Sequence, residues 1–137
     1  MGEAPEGGWR NLYGRRKGKR LRAGQEQHLE TTLVRYTIPG VERGGPELDL
    51  AALTGGRETW LEIGFGSGEH MLAEAAAHPD ITILGCETFI SGVAKLTARM
   101  DREETERVLI HPGDVRDLID QIPAGAIQRA FLLYPDP

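Results

Sequence analysis

Four short apolar runs, separated by helix-like stretches, occupy the chain from Thr59 onward, and an acid closes each of them. The first, Thr59-Trp60-Leu61, leads into Glu62-Ile63-Gly64-Phe65-Gly66-Ser67-Gly68. The second, Ile81-Thr82-Ile83-Leu84-Gly85-Cys86, ends on Glu87. The third, residues 107–111, is followed by Pro112-Gly113-Asp114, and the fourth, residues 127–134, by Pro135-Asp136-Pro137. Helices are expected over residues 67–77 and 89–102, with a shorter one over 115–121. Alternation of this kind specifies an α/β fold, a doubly wound parallel sheet with crossover helices. Ligands in such sheets bind beyond the carboxyl ends of the strands, which is where Glu62, Glu87, Asp114 and Asp136 fall. The same acids have a plainer use as caps of the helices that follow them.

The glycines of the first strand end decide between ligands. Gly64, Gly66 and Gly68 let the backbone turn from strand to helix and leave no side chain where a ligand must approach. Glu62 sits two residues before them, at the end of a strand expected to be buried, and a carboxylate there costs several kcal/mol unless a cation or donors meet it. The pattern asks for a ligand with an amino group, and S-adenosylmethionine offers one. Glu87 is placed to take both ribose hydroxyls, Asp114 the adenine amino group, and Glu62 the methionine moiety with its ammonium. A nicotinamide dinucleotide site competes for this layout, but its fingerprint needs a glycine three residues after the second one. That residue is Glu69, and a negative charge there opposes a pyrophosphate.

Taken together, Leu61-Glu62-Ile63-Gly64-Phe65-Gly66-Ser67-Gly68, Gly85-Cys86-Glu87, His111-Pro112-Gly113-Asp114 and Tyr134-Pro135-Asp136-Pro137 resemble, in order, the motifs of the bacterial tRNA (guanine-N7)-methyltransferases. The resemblance runs from about Tyr13 to the last residue. The Phe between the first two glycines and the closing Pro-Asp-Pro narrow it within the Rossmann-like class I methyltransferases. It implies that Glu62, Gly64, Gly66, Gly68, Glu87, Asp114 and Asp136 bind S-adenosylmethionine, and that Asp136 is also the catalytic aspartate. It implies a strand order of third, second, first, fourth. The family continues past Pro-Asp-Pro with residues that contact RNA and with three more strands, so the chain is expected to be an amino-terminal portion, truncated after the fourth strand. A fourth strand with apolar residues on both faces then forms an exposed edge. By itself the fragment is expected to be inactive, the alternative being a stand-alone RNA-binding or cofactor-binding module.

Composition matters chiefly through its asymmetry. The net charge is −5, yet the first 22 residues hold seven basic side chains and two acids. The run Gly14-Arg15-Arg16-Lys17-Gly18-Lys19-Arg20-Leu21-Arg22 is too glycine-broken and self-repelling for a stable helix. Residues 1–25 are therefore expected to be a disordered arm in which Arg15, Arg16, Lys17, Lys19 and Arg20 contact RNA phosphates, and residues 26–137 the amino-terminal part of the methyltransferase domain. Such an arm supplies affinity rather than base choice. A short helix and an extended stretch are expected within residues 25–39, and one helical turn at 48–53. The single cysteine, Cys86, lies in an apolar strand and reads as core. His28, His70, His78 and His111 lack metal-ligand spacing, so no metal is expected. His70, on the first turns of the helix after the glycine loop, is placed to approach the cofactor, although its plainer reading is an exposed helix residue. No apolar run reaches the ~18 residues that span a bilayer, and no secretory leader is visible. The cytoplasm is the expected compartment and tRNA the expected partner.

The implied chemistry needs few groups. Guanine N7 carries an in-plane lone pair and no proton, so it can attack a sulfonium methyl directly. Positioning then dominates, and alignment of reactants is worth ~7–11 kcal/mol. The role implied for Asp136 is to accept from the guanine N1–H and exocyclic amine, orienting the ring and stabilising the charge that grows on it. General-base action is the weaker option.

Overall fold

The structure is a computed structural model and describes residues 30–133, except 32 and 104. Four parallel strands form one sheet in the order β3-β2-β1-β4, as the resemblance implied. They are β1 (Glu58–Ile63), β2 (Ile81–Cys86), β3 (Val108–His111) and β4 (Ile127–Leu132). Helices α1 (Leu50–Thr54), α2 (Glu69–Ala77) and α3 (Ile90–Glu103) fall between or before them. Glu62 pairs in register with Gly85 of β2 and Phe131 of β4, so the first two strand ends and the fourth reach one edge of the sheet.

Both faces of the sheet are covered. On one, Met71, Leu72 and Ala75 of α2 and Val93, Leu96 and Met100 of α3 pack on Trp60, Ile83, Val108 and Ile110, joined by Leu33 and Tyr36. On the other, Leu48, Leu50 and Leu118 close over Leu61, Leu84 and Cys86, with Ile38. This is why β2, buried at all six positions, reads as a continuous apolar run rather than an alternating one. Cys86 is a core residue as expected, and burial pushes its thiol up to about 12. The segment before α1 is integral to the fold. Helical residues 33–36 lead to an isolated parallel bridge between Thr37 and Ile110. The buried Gln121 side chain donates to the carbonyls of Gly40 and Pro46 and accepts from Glu42 N–H, pinning the loop between them.

One expected element takes a different form. The stretch over 115–121 is not an α-helix but two 3₁₀ turns, Val115–Asp117 and Ile119–Gln121. Leu118, at φ −127° and ψ −6°, breaks the helical run between them while its side chain fills the core. Among the described residues the fourth strand is an exposed sheet edge, as expected, with Leu132 54% exposed. Its register on β1 also shifts between Thr59 and Trp60. This bulge at Gln128 lets Ile127 join the α1 face while Phe131 packs against the α2 and α3 face.

Candidate functional site

The turn from β1 to α2 is built by glycines held at positive φ. Gly64 (φ 77°) and Gly68 (φ 87°) bracket it, and neither has room for a side chain. A Cβ on Gly64 would come within 2.8 Å of the Leu133 carbonyl oxygen, and one on Gly68 would strike Leu96. The loop is pinned to β2 because Gly64 N–H donates to the Cys86 carbonyl at 2.8 Å. Gly92 of α3 sits so close beneath it that a Cβ there would run into the Gly66 carbonyl. The outer side is different, since a Cβ at Gly66 would meet nothing within 4 Å. The backbone is thus rigid below and open above.

Glu87 stands at the next strand end and faces this loop. Its Oε1 accepts from Gly66 N–H at 2.6 Å, and its Oε2 accepts from Thr88 and Phe89 N–H at 3.0 Å each. The carboxylate ties two loops 21 residues apart, and Oε1 keeps a lone pair for a further donor while Oε2 has both occupied.

Glu62 is fully buried at the end of β1. His70, on the first turn of α2, places Nδ1 2.7 Å from its Oε1. The other oxygen, Oε2, is buried and has no hydrogen-bond partner among the described residues. Burial raises the pKa of this carboxyl, and the hydrogen bond and charge of His70 oppose that rise. His70 also meets the Phe131 ring edge-on, with centroids 4.8 Å apart, and so links α2 to β4. From the sequence its place on the first helical turn, from which side chains lean back towards the strand end, allows an approach to the cofactor. The contact with Glu62 itself is not legible there, because one histidine on a polar helix face carries no periodic signal.

Asp114 follows β3 but caps the first 3₁₀ turn, accepting from Arg116 N–H at 2.8 Å and pairing with the Arg116 guanidinium. Those bonds hold its carboxyl down at about 2. Nearby, Asp117 lies 2.7 Å from His111 Nε2 and accepts from Arg43 at 2.8 Å. Burial works against its ionisation, yet these two partners keep it below the usual range. Asp136, and Arg15, Arg16, Lys17, Lys19 and Arg20, lie outside the described residues, as does the boundary expected near residue 25. Among the described residues no group of three or more His, Cys, Asp or Glu is placed to hold a metal ion, and no helix is long and apolar enough to cross a membrane. A cleft of about 410 Å³ lies at the opposite edge of the sheet, lined by Thr54, Arg57, Thr59 and Gln128, and it holds none of the strand-end acids.

A glycine turn between two buried carboxylates, at the carboxyl edge of a parallel sheet, suits a small cationic ligand bearing hydroxyls. Residues 56–137 match the family described as "Putative methyltransferase". The chain belongs to this methyltransferase family. It is 51% identical to a tRNA (guanine-N(7)-)-methyltransferase of Cereibacter sphaeroides over 99% of its own length and 58% of the relative's. It is 52% identical to one of Ruegeria pomeroyi, over 93% and 56% of the respective lengths. A Rhodospirillum rubrum protein of the same name is 44% identical over 92% and 51%. The chain thus spans little more than half the length of the curated relatives it matches. In this methyltransferase-family chain the family and the α/β architecture expected from the motifs are both borne out.

Proposed function

We propose that this chain carries the cofactor-binding half of an enzyme that methylates N7 of a guanine in the tRNA variable loop. S-adenosylmethionine supplies the methyl group, tRNA is the partner, and the cytoplasm is the compartment. The observation that carries the reading is the Glu62 carboxylate: buried beside the glycine turn, with one oxygen bonded to His70 and the other without a hydrogen-bond partner among the described residues. An unsatisfied buried carboxylate oxygen is costly, and an ammonium supplies both the missing donor and the opposite charge. Glu62 is closed to solvent, so the surrounding groups must part to admit it.

The other residues fit the same ligand. Glu87 keeps one lone pair, on Oε1, for a ribose hydroxyl while it holds Gly66 in place, and the open side of Gly66 leaves room for the approach. Asp114 would receive the adenine amino group. Asp136 would orient guanine, and residues 1–25 would form an arm that contacts phosphates through Arg15, Arg16, Lys17, Lys19 and Arg20. Close relatives named as tRNA (guanine-N(7)-)-methyltransferases support the choice of nucleophile and of RNA.

The test is tritiated methyl transfer from S-adenosylmethionine to unmodified tRNA by the full-length protein containing this chain, with the modified base mapped by mass spectrometry. Label at N7 of one variable-loop guanine is expected. Transfer to another atom, or none by a protein that binds the cofactor, contradicts the proposal.

A further inference from the structure

His70 holds the half of Glu62 that the fold uses, and this gives it a part in choosing the ligand. A carboxylate only accepts hydrogen bonds, so with Glu62 ionised the proton of the 2.7 Å contact resides on His70 Nδ1. The imidazole is fixed from two further sides. The ring packs edge-on against Phe131 of β4, and Nε2 lies 3.7 Å from Glu74 Oε2 one turn along α2. Glu69, beside it on α2, is exposed. From β4 the only nearby charge on the same face is Arg129, whose guanidinium is stacked on Trp60 at 4.7 Å. His78, whose Nδ1 lies 3.6 Å from Glu74 Oε1, adjoins the outer carboxylate rather than Glu62. With Glu62 and Glu74 ionised, even a protonated His70 leaves the trio of Glu62, His70 and Glu74 one negative charge in excess. A single cation at Oε2 neutralises it.

We propose that His70 is a positioning residue for the ligand's α-amino group. By engaging Oε1 it fixes the plane of the Glu62 carboxylate and leaves Oε2 as the oxygen with no hydrogen-bond partner among the described residues, so the site prefers adenosyl ligands that carry an aminobutyrate to those that end at the thioether. The inference rests on the S-adenosylmethionine reading above and adds to it a residue and a selectivity. A side chain that served only to pack α2 against β4 would support all adenosyl ligands alike.

The test is calorimetric titration of the full-length protein with S-adenosylhomocysteine and with 5′-methylthioadenosine, which shares the adenosine and thioether but lacks the amino acid. His70→Leu is expected to weaken S-adenosylhomocysteine roughly tenfold or more, the scale of a lost hydrogen bond to a charged group, with 5′-methylthioadenosine unchanged within error. His70→Asn, which keeps a donor near the Nδ1 position, is expected to retain most of the preference. Equal weakening of the two ligands in His70→Leu, no change in either, or loss of the preference in His70→Asn overturns the proposal while leaving the cofactor reading intact. A wild-type protein that binds neither ligand overturns both.

Discussion

At the residue scale, Glu62 and Asp114 show two carboxylates at equivalent strand ends with opposite energetics. Burial raises the pKa of Glu62, so the ionised form is disfavoured in the folded, ligand-free state. Its contribution to stability is then best at low pH and declines as pH rises above about 4.5, the value of an unperturbed carboxyl. Glu62→Gln, neutral and nearly isosteric, should raise the melting temperature of the ligand-free protein at pH 7 by a few degrees. It should at the same time weaken S-adenosylmethionine, the exchange of stability for function expected where a charge is kept buried for a ligand. Calorimetric melting and titration on the one variant read both. Asp114 runs the other way. Arg116 depresses its pKa to about 2, so the pair's contribution is complete above the ordinary carboxyl value and is lost as pH falls towards 2. Asp114→Asn should flatten the dependence of stability on pH between about 4 and 2, measured by circular dichroism. The effect should be small because Arg116 is 74% exposed.

At the element scale, the site depends on how closely α3 seats beneath the glycine loop. Gly92→Ala drives a methyl group into the Gly66 carbonyl, and overpacking of this kind typically costs ~1–3 kcal/mol. Both the melting temperature and the affinity for S-adenosylmethionine should fall, and an unchanged affinity would mean that the loop is not held from below. Strand order was implied only by the family resemblance, but the strands themselves were legible because each apolar run is short, bounded by turn residues and ended by an acid. The 3₁₀ turns were not, because Leu118 satisfies the apolar spacing of a helix while its backbone leaves the helical region. Nor was the Gln128 bulge, which depends on pairing with β1 rather than on any local pattern. Of the site, the glycine turn and the burial of Glu62 could be read from sequence. The bracing of Gly66 by Glu87, across 21 residues, needed the loops brought together in space, and so did the contact of His70 with Glu62.

At the scale of the whole molecule, the chain carries acids at its strand ends and a basic run near its amino terminus. If residues 1–25 form an RNA-binding arm, replacing Arg15, Arg16, Lys17, Lys19 and Arg20 with Ala should weaken tRNA binding and lower the log–log salt slope by up to about four units. The methylated guanine should stay the same; a changed target base with unchanged affinity would contradict the assignment. If the glycine turn, Glu62 and Glu87 together form an S-adenosylmethionine site, direct titration tests it most immediately. Isothermal titration of the full-length protein should give one site for S-adenosylmethionine and none for a nicotinamide dinucleotide, with Glu87→Ala weakening the former by ~1–3 kcal/mol. Dinucleotide binding, or S-adenosylmethionine binding that Glu87→Ala leaves unaltered, would contradict it.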